Sequence, residues 1–103
     1  MIKISVFYPN SAGVKFDMNY YVSKHLPMVQ KKLGAMLKSV AAEQGIAGGT
    51  PGAPAPYVAA GHLLFDSVDA FQSAFAAHAE AIMADVPNYT NVQPIIQISE
   101  VKL

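Results

Sequence analysis

The segment Tyr57 to Asp66 is apolar on both sides of a two-residue repeat. Tyr57, Ala59, Gly61, Leu63 and Phe65 alternate with Val58, Ala60, His62 and Leu64. A strand of this kind is normally covered on both faces. Composition sharpens the demand, because only 14% of the 103 residues are charged against about 25% in an ordinary domain. A single domain of this length buries only about 60–70% of its unfolded surface. Much of the remaining surface must be apolar, and a second copy of the chain is the expected cover.

The same composition excludes several function classes. All seven basic residues are lysine, and they balance seven acids to a net charge of zero. Nucleic-acid recognition relies on a basic stripe and on the forked guanidinium of arginine, so none is expected. The absence of cysteine excludes disulfides, thiolate metal sites and a thiol nucleophile. No apolar run reaches the ~18 residues of a membrane span, and Met1-Ile2-Lys3-Ile4 opens a strand rather than a leader. The expected location is the cytoplasm, where the triplet Asn88-Tyr89-Thr90 has no glycosylation role.

Ile2 to Tyr8 alternates as a first strand, closed by the turn cluster Pro9-Asn10-Ser11-Ala12-Gly13. Asp17 caps a helix whose inward stripe is Met18, Tyr21, Val22, His25, Met28, Val29 and Leu33, with Phe16 stapled against Tyr21. Pro27 should kink or restart that helix just after His25, and Gly34 should stop it. Met36 to Glu43 is the second strand, and the Gly- and Pro-rich stretch Gln44 to Pro56 is a loop without the features of a phosphate cradle. After the third strand, Ser67 caps a helix running to about Ala84, with Val68, Phe71, Phe75, His78, Ile82 and Met83 inside. Val92 to Val101 is the last strand. The order β-α-β-β-α-β in one domain is the ferredoxin-like α+β solution, a four-stranded antiparallel sheet with both helices on one face. Its bare face would pair with that of a second copy.

Three histidines are the side chains able to exchange protons near neutrality. None has the short spacing of a metal motif, so no metal is expected. His78 on a helix stripe and His62 on the central strand suit structural roles, although His78 can also reach a ligand. His25 differs, because it sits on an apolar stripe at the proline break beside Asp17, Tyr20 and Tyr21. A histidine with phenolic hydroxyls in an apolar cavity can act as a general acid–base or stabilise an enolate. Tyr8, Phe65 and Tyr89 are candidate lining residues, although Phe65 also reads as plain core. Asp17 is first of all a cap.

The run Phe16-Asp17-Met18-Asn19-Tyr20-Tyr21-Val22-Ser23-Lys24-His25-Leu26-Pro27-Met28-Val29, closing on Gly34, resembles the EthD family, named for ethyl tert-butyl ether degradation. Phe65-Asp66-Ser67, the stretch Met83 to Asn91 and Ser99-Glu100-Val101 resemble it too. The resemblance implies a dimeric α+β barrel, two ferredoxin-like protomers closed sheet against sheet. Its fold relatives include cofactor-free monooxygenases, cyclases, isomerases and haem-degrading enzymes. The carried-over signature is Asp17, Tyr20, Tyr21, His25 and Pro27.

The expectation is a small catabolic protein, an oxidoreductase-type or cofactor-free enzyme or accessory acting on a small apolar compound. His25 would be its general acid–base, with Tyr20 or Tyr21 orienting it or stabilising an oxyanion. Tyr8, Asp17, Phe65, His78 and Tyr89 would touch the ligand, and no cofactor is expected. The alternative is a non-catalytic binding or stress-response protein that sequesters an apolar metabolite or hands it to an oxygenase. Haem handling rests on fold relatives alone.

Overall fold

The computed structural model describes all of Met1–Leu103. Strands β1 (Ile2–Pro9), β2 (Ser39–Gln44), β3 (Tyr57–Phe65) and β4 (Ile95–Glu100) form one antiparallel sheet in the order β2-β3-β1-β4. This is the ferredoxin-like arrangement expected from the element order. The two central strands, β1 and β3, pair Ile2 with Phe65, Ile4 with Leu63, Val6 with Gly61 and Tyr8 with Ala59 on the helix-covered face. Ile2, Ile4, Leu63 and Phe65 meet Val29, Leu33 and Ile82 from the helices to form the main core.

The opposite face carries Lys3, Ser5 and Phe7 of β1 against Leu64, His62 and Ala60 of β3. A register shift between Tyr8 and Pro9 changes the side taken by Tyr57. Its ring centroid lies 4.9 Å from that of Phe7, on the outer face and away from Ala59. The Gly- and Pro-rich connection is tied down across its width. Gly45 donates to Val58 (2.9 Å), Gly48 to Ala53 (2.9 Å), and Asn10 holds Pro56 through its backbone (3.0 Å) and Ala55 through its side chain (2.9 Å).

The first helical segment departs from the expected single stripe. Helix α1 (Met18–Tyr20) passes into a π-helical turn over Tyr21–His25 and then into α2 (Leu26–Leu33). Leu26 N–H bonds back to Tyr21 C=O, five residues away, and Pro27 supplies no donor in the first turn of α2. The helix therefore restarts at Leu26 as the proline predicts, but it does so through a widened turn rather than a break. That turn re-phases the stripe. Val22 is 45% exposed, whereas Leu26, outside the expected stripe, is buried. Asp17 caps α1 by accepting from Tyr20 N–H at 3.0 Å, and Phe16 packs on Tyr21 at 5.1 Å as a staple should.

The second helix is also divided, into α3 (Val68–Ala76, capped by Ser67) and α4 (Ala79–Asp85). Nothing between Ala76 and Ala79 is a breaker, so the interruption has no local cause in the sequence. Ile82 is buried while Val68 and Met83 of the expected inner stripe stay exposed. A 3₁₀ turn, Val86–Asn88, follows α4. Backbone bonds from Asp17 N–H to Tyr89 C=O (2.7 Å) and the Phe16–Thr90 bridge then pin the next residues beside the start of α1.

Gly61 is where helix and sheet come closest. A Cβ at Gly61 would collide with the Tyr21 hydroxyl. Tyr21 is buried and packed among Tyr8, Phe16, His25 and Tyr89, so its ring has nowhere to move. Gly61→Ala should cost about 1–3 kcal/mol through overpacking. Tyr21→Phe in the same chain should recover most of that loss, and a denaturation double-mutant cycle measures the coupling.

Candidate functional site

An apolar cavity of about 80 Å³ lies between the sheet and the helices. Tyr21, His25 and Tyr89 line it together with apolar side chains that include Phe71, Phe75 and Ile96. No lining residue carries a carboxylate or an ammonium group. The π-turn places Tyr21 and His25 on the same side, with nearly parallel rings 5.6 Å apart. Both are buried.

His25 Nδ1 lies 2.9 Å from Asp85 Oδ2. An ionised carboxylate only accepts, so Nδ1 carries the proton and Nε2 keeps its lone pair. The partner of Nε2 is the Tyr89 hydroxyl at 3.4 Å, long for an O–H···N bond. Tyr89 is in turn 2.7 Å from the Tyr8 hydroxyl. Burial pulls the His25 pKa below 6.5, outweighing the opposing hydrogen bond and charge of Asp85. Burial likewise pushes Tyr8, Tyr21 and Tyr89 above the ordinary phenol value, so these hydroxyls keep their protons. The cavity thus presents an unprotonated imidazole nitrogen beside phenolic donors.

Asp85 ends α4, the helix end whose dipole disfavours a carboxylate. Three donors hold it there, namely Tyr20 Oη (2.7 Å), Asn88 Nδ2 (2.9 Å) and His25 Nδ1 (2.9 Å). Burial would raise its pKa, but these bonds outweigh that and leave it below the usual value of 3.8. Donation to Asp85 is the main cause raising the Tyr20 pKa.

The structure brings Tyr8, Tyr21, His25 and Tyr89 together at the cavity. Tyr20 sits one step behind, touching Asp85 rather than the cavity. The remaining candidates lie elsewhere. Asp17 is a helix cap beside a shallow polar cleft with Asn88 and Asn91. Phe65 is fully enclosed in the core against Phe71, outside the cavity lining. His78 heads α4, also outside that lining. His62 is on the outer sheet face, bonded to Ser5 Oγ (3.0 Å) and Glu43 Oε1 (2.8 Å). No group of three or more His, Cys, Asp or Glu side chains could hold a metal ion, and no helix is long and apolar enough to cross a membrane.

Sequence reasoning missed Asp85 and Gly61. Each carried a signal: an acid at the unfavourable end of a helix, and a glycine inside an otherwise apolar strand.

Comparison with known proteins gives the lineage. The EthD domain pattern matches residues 14–93. An EthD-like protein from Ralstonia eutropha JMP134 is 40% identical over 99% of this chain and 92% of its own, with a TM-score of 0.95. An ethyl tert-butyl ether degradation (EthD) family protein from Bacillus halodurans superposes with a TM-score of 0.75 at 18% identity, over 99% of both chains. HapK from Hahella chejuensis shares the fold at 12% identity, with a TM-score of 0.59 over 99% of this chain and 93% of its own. No curated protein matches the sequence. The matched pattern covers the π-turn, the His25–Asp85 pair and Tyr89, and the chain belongs to the EthD family.

Proposed function

We propose that the protein binds a small, largely apolar organic molecule in the cavity and that His25 acts on it as a general acid–base. The observation carrying this reading is the His25 Nε2 lone pair, buried in an apolar cavity and only weakly engaged by Tyr89. Nε2 takes a proton from the ligand, the electron pair stays on the ligand as an enolate or alkoxide, and Asp85 stabilises the imidazolium formed. Tyr21 or Tyr89 donates to the developing oxyanion. Tyr20 acts one step back, fixing Asp85 and through it the His25 tautomer. The name of the Bacillus relative, an ethyl tert-butyl ether degradation family protein, supports a catabolic compound as the natural ligand.

Methyl ethyl ketone, small and enolisable, is a suitable probe. Deuterium uptake beside its carbonyl in D₂O should be accelerated by the protein and fall by about 10²–10⁴-fold in His25→Gln. Binding without exchange in the native protein would favour the non-catalytic carrier. Unchanged exchange in a folded His25→Gln variant would overturn the assignment.

The tautomer can be tested without a ligand. Nitrogen-15 NMR should find Nε2 unprotonated, titrating below 6.5, and Asp85→Asn should move the proton to Nε2 by offering a donor to Nδ1. The sign of the pH effect follows. Below the ordinary histidine value the unfolded chain binds a proton that folded His25 resists, so stability falls as pH drops through 6.5. Asp85, held below 3.8, adds stability above that value, which is lost at lower pH.

The outer sheet face supports a homodimer. Phe7, Ala60 and Leu64 stand there half-buried by this chain alone, and Ile95 of β4 is exposed. Sedimentation at micromolar concentration should give twice the chain mass, and Leu64→Glu should shift it to the monomer.

A further inference from the structure

The helix-side face of β4 is left unfinished. Ile96 pairs with Val6 and Ile98 with Ile4, so both isoleucines point the same way as the core residues of β1. Ile4 is buried, yet Ile96 is 50% and Ile98 45% exposed. Ile96 also lines the cavity, which makes this apolar strip continuous with it. Met83 of α4, another lining residue, is exposed as well. The strip ends at Glu100, which is ion-paired with Lys102 at 2.9 Å.

The cavity by itself is too small for much of a ligand. Its volume of about 80 Å³ compares with ~150 Å³ in a site that takes benzene. A polar group and its immediate neighbours fit beside His25, and the rest of the molecule must leave through the mouth. There it meets Ile96 and then Ile98, about 7 Å further on. Neither cavity nor strip presents a charge to pair with an ionic ligand until Glu100.

We propose that the Ile96–Ile98 face of β4 is the second half of the ligand site, a shelf for the apolar body of an uncharged amphipathic molecule whose single carbonyl or hydroxyl enters the cavity. This assignment rests on the cavity being a ligand site. The ligand class is accordingly an unbranched or flat, mostly hydrocarbon ketone or alcohol, longer than the cavity can enclose. Ile98, which does not line the cavity, selects for length. Burial of apolar surface on the shelf strengthens binding with each added methylene.

The test is the affinity of the full-length protein for methyl ketones from methyl ethyl to methyl heptyl ketone, measured by NMR titration. Affinity should rise about three- to fourfold per methylene as the chain crosses the shelf. Ile98→Gln, on an exposed edge position and checked for unchanged melting, should leave methyl ethyl ketone binding unaltered and flatten the rise for the longer members. A flat series in the native protein, or an undiminished rise in Ile98→Gln, overturns the shelf while leaving the cavity reading standing. Failure of every ketone to bind overturns both. Dissociation of an oligomer by Ile98→Gln would show that a second copy covers the face, and would overturn the ligand shelf as well.

Discussion

The missing side chain at Gly61 sets the distance between helix and sheet in this protein. Only there can the Tyr21 hydroxyl come down onto β3, and the ring above it is the hub of an aromatic cluster with Tyr8, Phe16, His25 and Tyr89. Residues far apart in the chain meet around that hub. The Asp17–Tyr89 backbone bond and the Phe16–Thr90 bridge close the cluster from the other side. Were the layers held further apart, Tyr8 and Tyr89 could not share a hydrogen bond with His25 next to them.

The fold was legible because its determinants are periodic. Alternation in β1 and β3, the Asp17 and Ser67 caps and the strand–helix order lead to the observed sheet. What escaped is what breaks period. The π-turn replaces Val22 by Leu26 on the buried side, and a register shift sends Tyr57 to Phe7. The interruption between α3 and α4 has no local cause in the sequence. At the site, His25 was visible from its proline and its tyrosine neighbours. Asp85, 60 residues away, becomes its partner only once α4 is docked. His78 shared the apolar stripe of its helix, but the division of that helix leaves it outside the cavity.

Asp85 shows what the fold commits to holding one imidazole in place. A carboxylate at a helix C-terminus opposes the dipole, and three hydrogen bonds are committed to keeping it ionised. Replacing Asp85 alone would leave the buried His25 Nδ1–H without its acceptor, so the pair is kept or lost as a unit. What the three bonds hold is a histidine in one tautomer, its unprotonated Nε2 set beside the Tyr89 hydroxyl at the apolar cavity. Buried networks of this kind function only when every member is satisfied. Tyr20 and Asn88, which never touch the cavity, belong to it for that reason.

The π-turn has a consequence for how such a chain can diverge. A helix containing one carries a residue more than an α-helix with the same start and end. That extra residue lies between two halves, the aromatic cluster upstream and the main core downstream of Leu26. Loss of a single residue between Tyr21 and His25 would return the segment to plain α-helix with both ends in place, so the contacts of Tyr20 and Tyr21 upstream and of Val29 and Leu33 downstream would survive and only the backbone hydrogen bonding of the turn would change. A chain of this kind can therefore gain or lose a residue beside His25 without disturbing the fold on either side.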